Sequence, residues 1–126
     1  MHYNHKWRKT SRVDANLVKN YCQKHKIKFF YKESKGNIIK NEEHARNQRY
    51  SFFKDYAKKH GLKFICTAHH KDDNVETILF RLARGTGPKG LFPIKELSNL
   101  SNKTKLFRPF LHVSKEQIYL YAKKNN

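Results

Sequence analysis

Thr67-Ala68-His69-His70-Lys71-Asp72-Asp73-Asn74-Val75-Glu76-Thr77 is the stretch on which the reading of this chain turns. Before it, Lys63 to Ala68 is a short apolar run of strand length. After it, Val75, Ile78, Leu79, Leu82 and Ala83 recur at the i, i+3, i+4, i+7, i+8 spacing of an amphipathic helix, predicted over Asp72 to Arg84 and stopped by Gly85. The stretch therefore crosses from a strand end into a helix start, which is where open α/β sheets bind their ligands. Asp72 and Glu76 stand four apart and Asp73 and Glu76 three apart, so these acids share a face of the first helical turns, with His69 and His70 just ahead of them. Hard carboxylate oxygens suit Mg²⁺, which takes one or two protein carboxylates and completes its shell with phosphate oxygens and water. The plainer alternative is that Asp72 and Asp73 only favour the positive end of the helix, by about 0.3–1 kcal/mol each. Cys66, His69 and His70 also offer soft zinc ligands, but no second Cys or His pair has matching spacing.

Working outward, the same alternation recurs. Val13, Leu17, Val18, Tyr21 and Cys22 predict a helix from an N-cap at Ser11 to about Lys24, and Ile27 to Tyr31 reads as a strand. Ser34 to Lys40, with Gly36, is a polar turn. Ala45, Phe52, Phe53, Tyr56 and Ala57 then make one face of a helix between Asn41 and His60, and Gly61 follows as its stop. Met1 to His5 reads as the tail of a strand. Gly85 to Thr104 reads as one long loop, Leu106 to Leu111 as a brief extended segment broken by Pro109, and Ser114 with Gln117 as the capping box of a last helix. Strands alternating with helices imply an α/β fold with parallel strands and crossover helices, and 126 residues imply one domain over 1–126.

Charge narrows the partners. Lys plus Arg number 28 against 10 Asp plus Glu, a formal net charge of +18 that favours a polyanion through counterion release. A lysine-rich, asparagine-rich composition is also what an AT-rich genome encodes, so the arginines carry more information: Arg8, Arg12, Arg46, Arg49, Arg81, Arg84 and Arg108 mark places where a planar fork serves better than a point charge. Arg81, Arg84 and the loop Gly85-Thr86-Gly87-Pro88-Lys89-Gly90 would make a flexible cationic clamp for phosphate. That loop follows a helix rather than a strand, so its three glycines fail as a dinucleotide fingerprint. Two cysteines, Cys22 and Cys66, are too few for a disulfide framework, and no signal peptide or long apolar run occurs.

In order along the chain, His2-Tyr3-Asn4-His5-Lys6-Trp7-Arg8, Glu42 with Ala45-Arg46-Asn47-Gln48-Arg49-Tyr50, the run from Thr67 to Thr77, the run from Arg81 to Leu91, and Arg108-Pro109-Phe110-Leu111 resemble the PP-loop ATP pyrophosphatase family, and within it the tRNA(Ile)-lysidine synthases. The resemblance implies a Rossmann-like parallel sheet and a reaction: ATP and Mg²⁺ adenylate C2 of the wobble cytidine in the CAU anticodon of tRNA(Ile), and free L-lysine then displaces AMP, so that AUA is read. It implies Asp73, His69 and Arg46 as catalytic, with Asp73 on the metal. It further implies His70, Asp72, Glu76 and Arg49 around the nucleotide, and Arg81, Arg84, Gly85, Gly87, Lys89, Gly90 and Arg108 toward the tRNA. The family's Ser-Gly-Gly-x-Asp-Ser loop does not occur in these 126 residues. The expectation is thus a partial domain lacking the first strand and the PP-loop, neither binding ATP tightly nor modifying tRNA by itself; an upstream start, a separate N-terminal piece or a disrupted gene would each fit the sequence, and a homodimer or a separate N-terminal piece is the expected protein partner. No membrane partner is expected, and the skewed composition points to a plastid or a bacterial cytoplasm as the location. A tRNA thiolase would carry CxxC pairs, which are absent, and a basic RNA-binding module without catalysis is the alternative from another class.

Overall fold

The computed structural model describes residues 1–34 and 41–125. The described elements are β1 (His2–Asn4), α1 (Ser11–Lys24), β2 (Tyr31–Glu33), α2 (Glu42–Lys59), β3 (Phe64–Cys66), α3 (Lys71–Ala83), a 3₁₀ turn (Pro88–Gly90), β4 (Leu97–Asn99), β5 (Lys105–Phe107) and α4 (Lys115–Asn125). They fall into two compact units, Met1–Tyr56 and Ala57–Asn126, with the division inside α2.

In the first unit β1 and β2 pair in parallel, His2 opposite Tyr31 and Asn4 opposite Glu33. This corrects the strand expected at Ile27 to Tyr31. Propensity pointed to the β-branched and aromatic residues, but Ile27 N still donates to Cys22 O at the end of α1 and Lys26 turns left-handed at φ 55°, so pairing with β1 begins only at Tyr31. The N-cap of α1 is Thr10, not Ser11, and its side chain makes no capping bond. The turn expected over Ser34 to Lys40, Gly36 included, lies outside the described residues except for Ser34. For α2, Asn41 Oδ1 accepts from His44 N at 3.0 Å, and Gly61 at φ 62° follows its end.

In the second unit the sheet order is β3-β5-β4, with β3 and β5 parallel and β4 antiparallel to β5. The long loop expected from Gly85 to Thr104 thus contains a strand. Its sequence Leu97-Ser98-Asn99 has little β-propensity, and β4 exists because the turn at 100–104 folds it back on β5, with Leu100 N and Ser101 N both donating to Thr104 O. Leu106, in the centre of β5 and paired with Ile65 of β3, is only 2 % exposed, and Ile65, Leu100 and Leu111 are buried in the same unit. The capping box of α4 forms as expected, Gln117 N to Ser114 Oγ at 3.2 Å and Ser114 N to Gln117 Oε1 at 2.9 Å.

Two apolar faces that the periodicity assigned to the core are open. Val13, Leu17 and Tyr21 on α1, and Val75, Leu79 and Leu82 on α3, are all about half exposed or more. Periodicity gives the phase of an apolar stripe but not what covers it.

Candidate functional site

The stretch Thr67 to Thr77 leaves the carboxyl end of β3, beside that of its parallel neighbour β5, and its first residue is still tied to the sheet by Thr67 N to Phe107 O at 3.0 Å. Thr67 Oγ1 and His69 Nδ1 lie 2.9 Å apart. His70 is the N-cap of α3. Its backbone N–H donates to Asp73 Oδ2 at 2.7 Å, and its ring Nδ1 stands 3.4 Å from Asp73 N as the returning acceptor, so a histidine fills the place usually held by Ser or Thr in a capping box. To accept there, Nδ1 must carry no proton. Asp73 Oδ1 takes no hydrogen bond among the described residues, so the box fixes one carboxylate oxygen and leaves the other available at the positive end of a helix. Glu76 is exposed one turn on.

Asp72 has a structural task as well. Its Oδ2 accepts from Lys115 N at 2.8 Å and so caps α4, while Lys71 N donates to Val113 O. That backbone N–H, more than any neighbouring charge, holds the Asp72 carboxyl below its ordinary value. Sequence spacing put Asp72 on one face with Glu76; the long-range cap could not be read from it.

No group of three His, Cys, Asp or Glu side chains among the described residues comes close enough to hold a metal ion, so Cys66, His69 and His70 do not form the zinc set weighed above. One carboxylate with a free oxygen fits the sparse protein ligation of Mg²⁺, whose remaining positions go to phosphate and water.

Arg81 and Arg108, expected toward the tRNA, are both engaged with the chain's own backbone. Arg81 Nη1 donates to Gly90 O at 3.2 Å and Phe92 O at 2.6 Å. Arg108 is 6 % exposed, and its Nη1 donates to Lys95 O at 2.6 Å and Ser98 Oγ at 3.0 Å. Arg84 lies over the Phe80 ring at 4.1 Å. Helix α3 ends in a Schellman arrangement, Gly85 N to Leu82 O and Thr86 N to Arg81 O, with Gly85 at φ 73°. At Gly90 an added Cβ would collide with the Thr86 methyl group. Gly87 precedes the 3₁₀ turn, and Lys89 is exposed within it.

In the first unit, Arg46 and Arg49 both face Tyr50, at 4.7 and 5.9 Å from its ring, and Arg46 Nη2 donates to the Tyr50 hydroxyl at 3.3 Å. A cavity of about 200 Å³ opens where β1 ends, lined by residues that include His2, Asn4, His5, Trp7, Arg8 and Ser11. No site residue was expected there. Asn4 is buried and shapes the turn, its Nδ2 donating to the Tyr31 hydroxyl and its Oδ1 accepting from Lys6 N. Burial first, and then the Arg49 charge, lower the pKa of His5. Lys6 sits at φ 58° with its ammonium 2.8 Å from Glu33. Lys6 and then the Tyr31 hydroxyl lower the Glu33 pKa. This tie is therefore complete above the ordinary glutamate value and is lost as pH falls through the lowered folded value. Lys6→Ala is expected to return Glu33 toward the ordinary range in a carboxyl NMR titration; an unmoved midpoint would show that Lys6 is not the cause.

The PP-loop domain family model matches residues 1–126. The chain belongs to the PP-loop domain family. This PP-loop domain is 37% identical over 117 residues to the tRNA(Ile)-lysidine synthase of Streptococcus thermophilus, covering 93% of the chain and 27% of the relative. It is 39% identical over 134 residues to that of Thermotoga maritima, covering 99% and 30%, and 36% identical over 127 residues to that of Thermosipho africanus, covering 96% and 29%. The PP-loop domain thus spans less than a third of the length of these curated relatives. No helix among the described residues is long and apolar enough to cross a membrane.

Proposed function

We propose that this PP-loop domain serves ATP-dependent formation of lysidine on a tRNA(Ile) with a CAU anticodon. The observation that carries the reading is the Asp73 carboxylate, fixed through one oxygen by the His70 cap and offering the other at the head of α3, in a chain whose relatives are named tRNA(Ile)-lysidine synthases. In this reading the cytidine O2 attacks the α-phosphate of ATP and pyrophosphate leaves. The ε-amine of lysine then attacks C2, AMP departs with that oxygen, and the amine loses a proton. Activation comes first because an oxygen on a pyrimidine ring is a poor leaving group until AMP is attached to it.

Mg²⁺, where bound, supplies charge neutralisation at the phosphates. The chain's own contribution is positional. Asp73 offers one oxygen to the ion, the α3 terminus favours the anionic phosphates, and the Thr67–His69 contact orients a neighbouring imidazole. Arg46 and Arg49, steadied on Tyr50, are fitted to meet phosphate or base. The net charge of +18 suits the tRNA backbone.

The test is to exchange residues 1–126 for the matching segment of the Thermotoga maritima enzyme and assay a CAU-anticodon tRNA. ATP- and lysine-dependent lysidine formation with pyrophosphate release is expected. A folded chimaera that binds the tRNA but releases no pyrophosphate would overturn the proposal.

A further inference from the structure

The segment after α3 should be loose by composition, with Gly85, Gly87, Pro88, Gly90 and Pro93 in nine residues. Burial does not hold it either. Lys89, Phe92, Pro93, Lys95 and Glu96 are all exposed. It is held instead by polar ties to its backbone. Arg81 takes the carbonyls of Gly90 and Phe92, Asn74 Oδ1 accepts from Ile94 N at 2.7 Å, Arg108 Nη1 takes the carbonyl of Lys95, and Arg108 N donates to Glu96 O at 2.9 Å. Asn74 and Arg81 stand seven apart on α3, two turns along one face. The residues they hold, 90, 92 and 94, alternate along the segment, so α3 grips it as a strand edge would be gripped.

The Arg81 guanidinium, aimed at carbonyls of a solvent-facing segment, does little for the core. Its effect is to fix where the preceding turn, with its exposed Lys89, stands. Lys89 has no carboxylate partner among the described salt bridges. From this geometry we infer that Asn74, Arg81 and Arg108 are positioning residues that preset the 85–96 segment so that Lys89 meets an RNA phosphate. The inference deepens the lysidine reading and rests on it for the identity of the RNA. Lys89 is the contacting cation and the other three act through it, because ordering the segment beforehand removes an entropic cost from binding.

The test uses the full 126-residue chain and a CAU anticodon stem–loop, with affinity measured across a salt series and Ile94 amide exchange followed in parallel. Lys89→Ala is expected to reduce the slope of log K against log salt by about 0.7, one single-strand phosphate contact. Asn74→Ala is expected to expose the Ile94 amide and weaken binding roughly ten-fold, and to have almost no further effect in the Lys89→Ala background. Asn74→Asp keeps an acceptor and should restore Ile94 protection. Arg81→Gln, which leaves the α3 head untouched, repeats the cycle from the other end of the segment. Equal losses with and without Lys89, or an Ile94 amide unchanged by Asn74→Ala, would overturn the inference. The lysidine reading fails separately, on pyrophosphate release by the chimaera.

Discussion

Asp73→Ala in the chimaera is expected to lower ATP- and lysine-dependent modification by about 10³-fold or more, the scale of losing a charge that acts on developing phosphate charge. Affinity for the tRNA should stay within about two-fold, because Asp73 faces nucleotide and ion in this reading rather than the RNA backbone. Alanine also removes half of the capping box, since His70 N loses its acceptor at 2.7 Å. That costs about 1 kcal/mol, far too little to explain a thousand-fold loss. Asp73→Asn separates the two effects, because its amide oxygen still accepts from His70 N while its charge is gone. Stability should then return and activity should not. Retention of more than a tenth of the activity by Asp73→Asn would show that the carboxylate serves only its helix, which is the plain alternative for any acid at a helix start.

The site was legible in part, and the reasons are specific. The strand-to-helix crossing at Thr67 to Thr77, the placement of His70 and Asp73, and the capping box of α4 follow from local patterns, because a cap and an amphipathic period are properties of neighbouring residues. What escaped is long-range. The Asp72 cap on Lys115 joins residues 43 apart, and Arg108 reaches Lys95 and Ser98 across a turn, so neither structural contact could be read from residue type or spacing. Strand β4 was missed because its residues are poor β-formers paired by a turn. Strand β2 was displaced because its partner, not its composition, sets the register. The cavity at β1 depends on Asn4 folding the following turn over itself, a buried side-chain contact that no spacing rule reports.

The second large effect is at Arg108, where Arg108→Ala is expected to destabilise the unit from Ala57 to Asn126 by about 3 kcal/mol. Truncation leaves the Lys95 carbonyl and the Ser98 hydroxyl without their donor and opens a void beside β5. For a chain of this length the melting midpoint should fall by roughly 12 °C. Arg108→Met should cost less than half as much. It refills the volume, and it also removes a hidden positive charge that has no carboxylate within salt-bridge distance among the described residues and whose Nε is buried without an acceptor. A buried guanidinium satisfied only in part carries a desolvation cost that an apolar replacement relieves. Thermal melts of the two variants therefore rank Ala below Met below the parent. If Arg108 instead reached the RNA, both variants would melt like the parent, and each would lower the salt slope of stem–loop binding by about 0.7. A guanidinium only 6 % exposed and already bonded to a backbone carbonyl at 2.6 Å favours the first outcome, because turning it outward would leave that carbonyl unpaired while its own charge regained water.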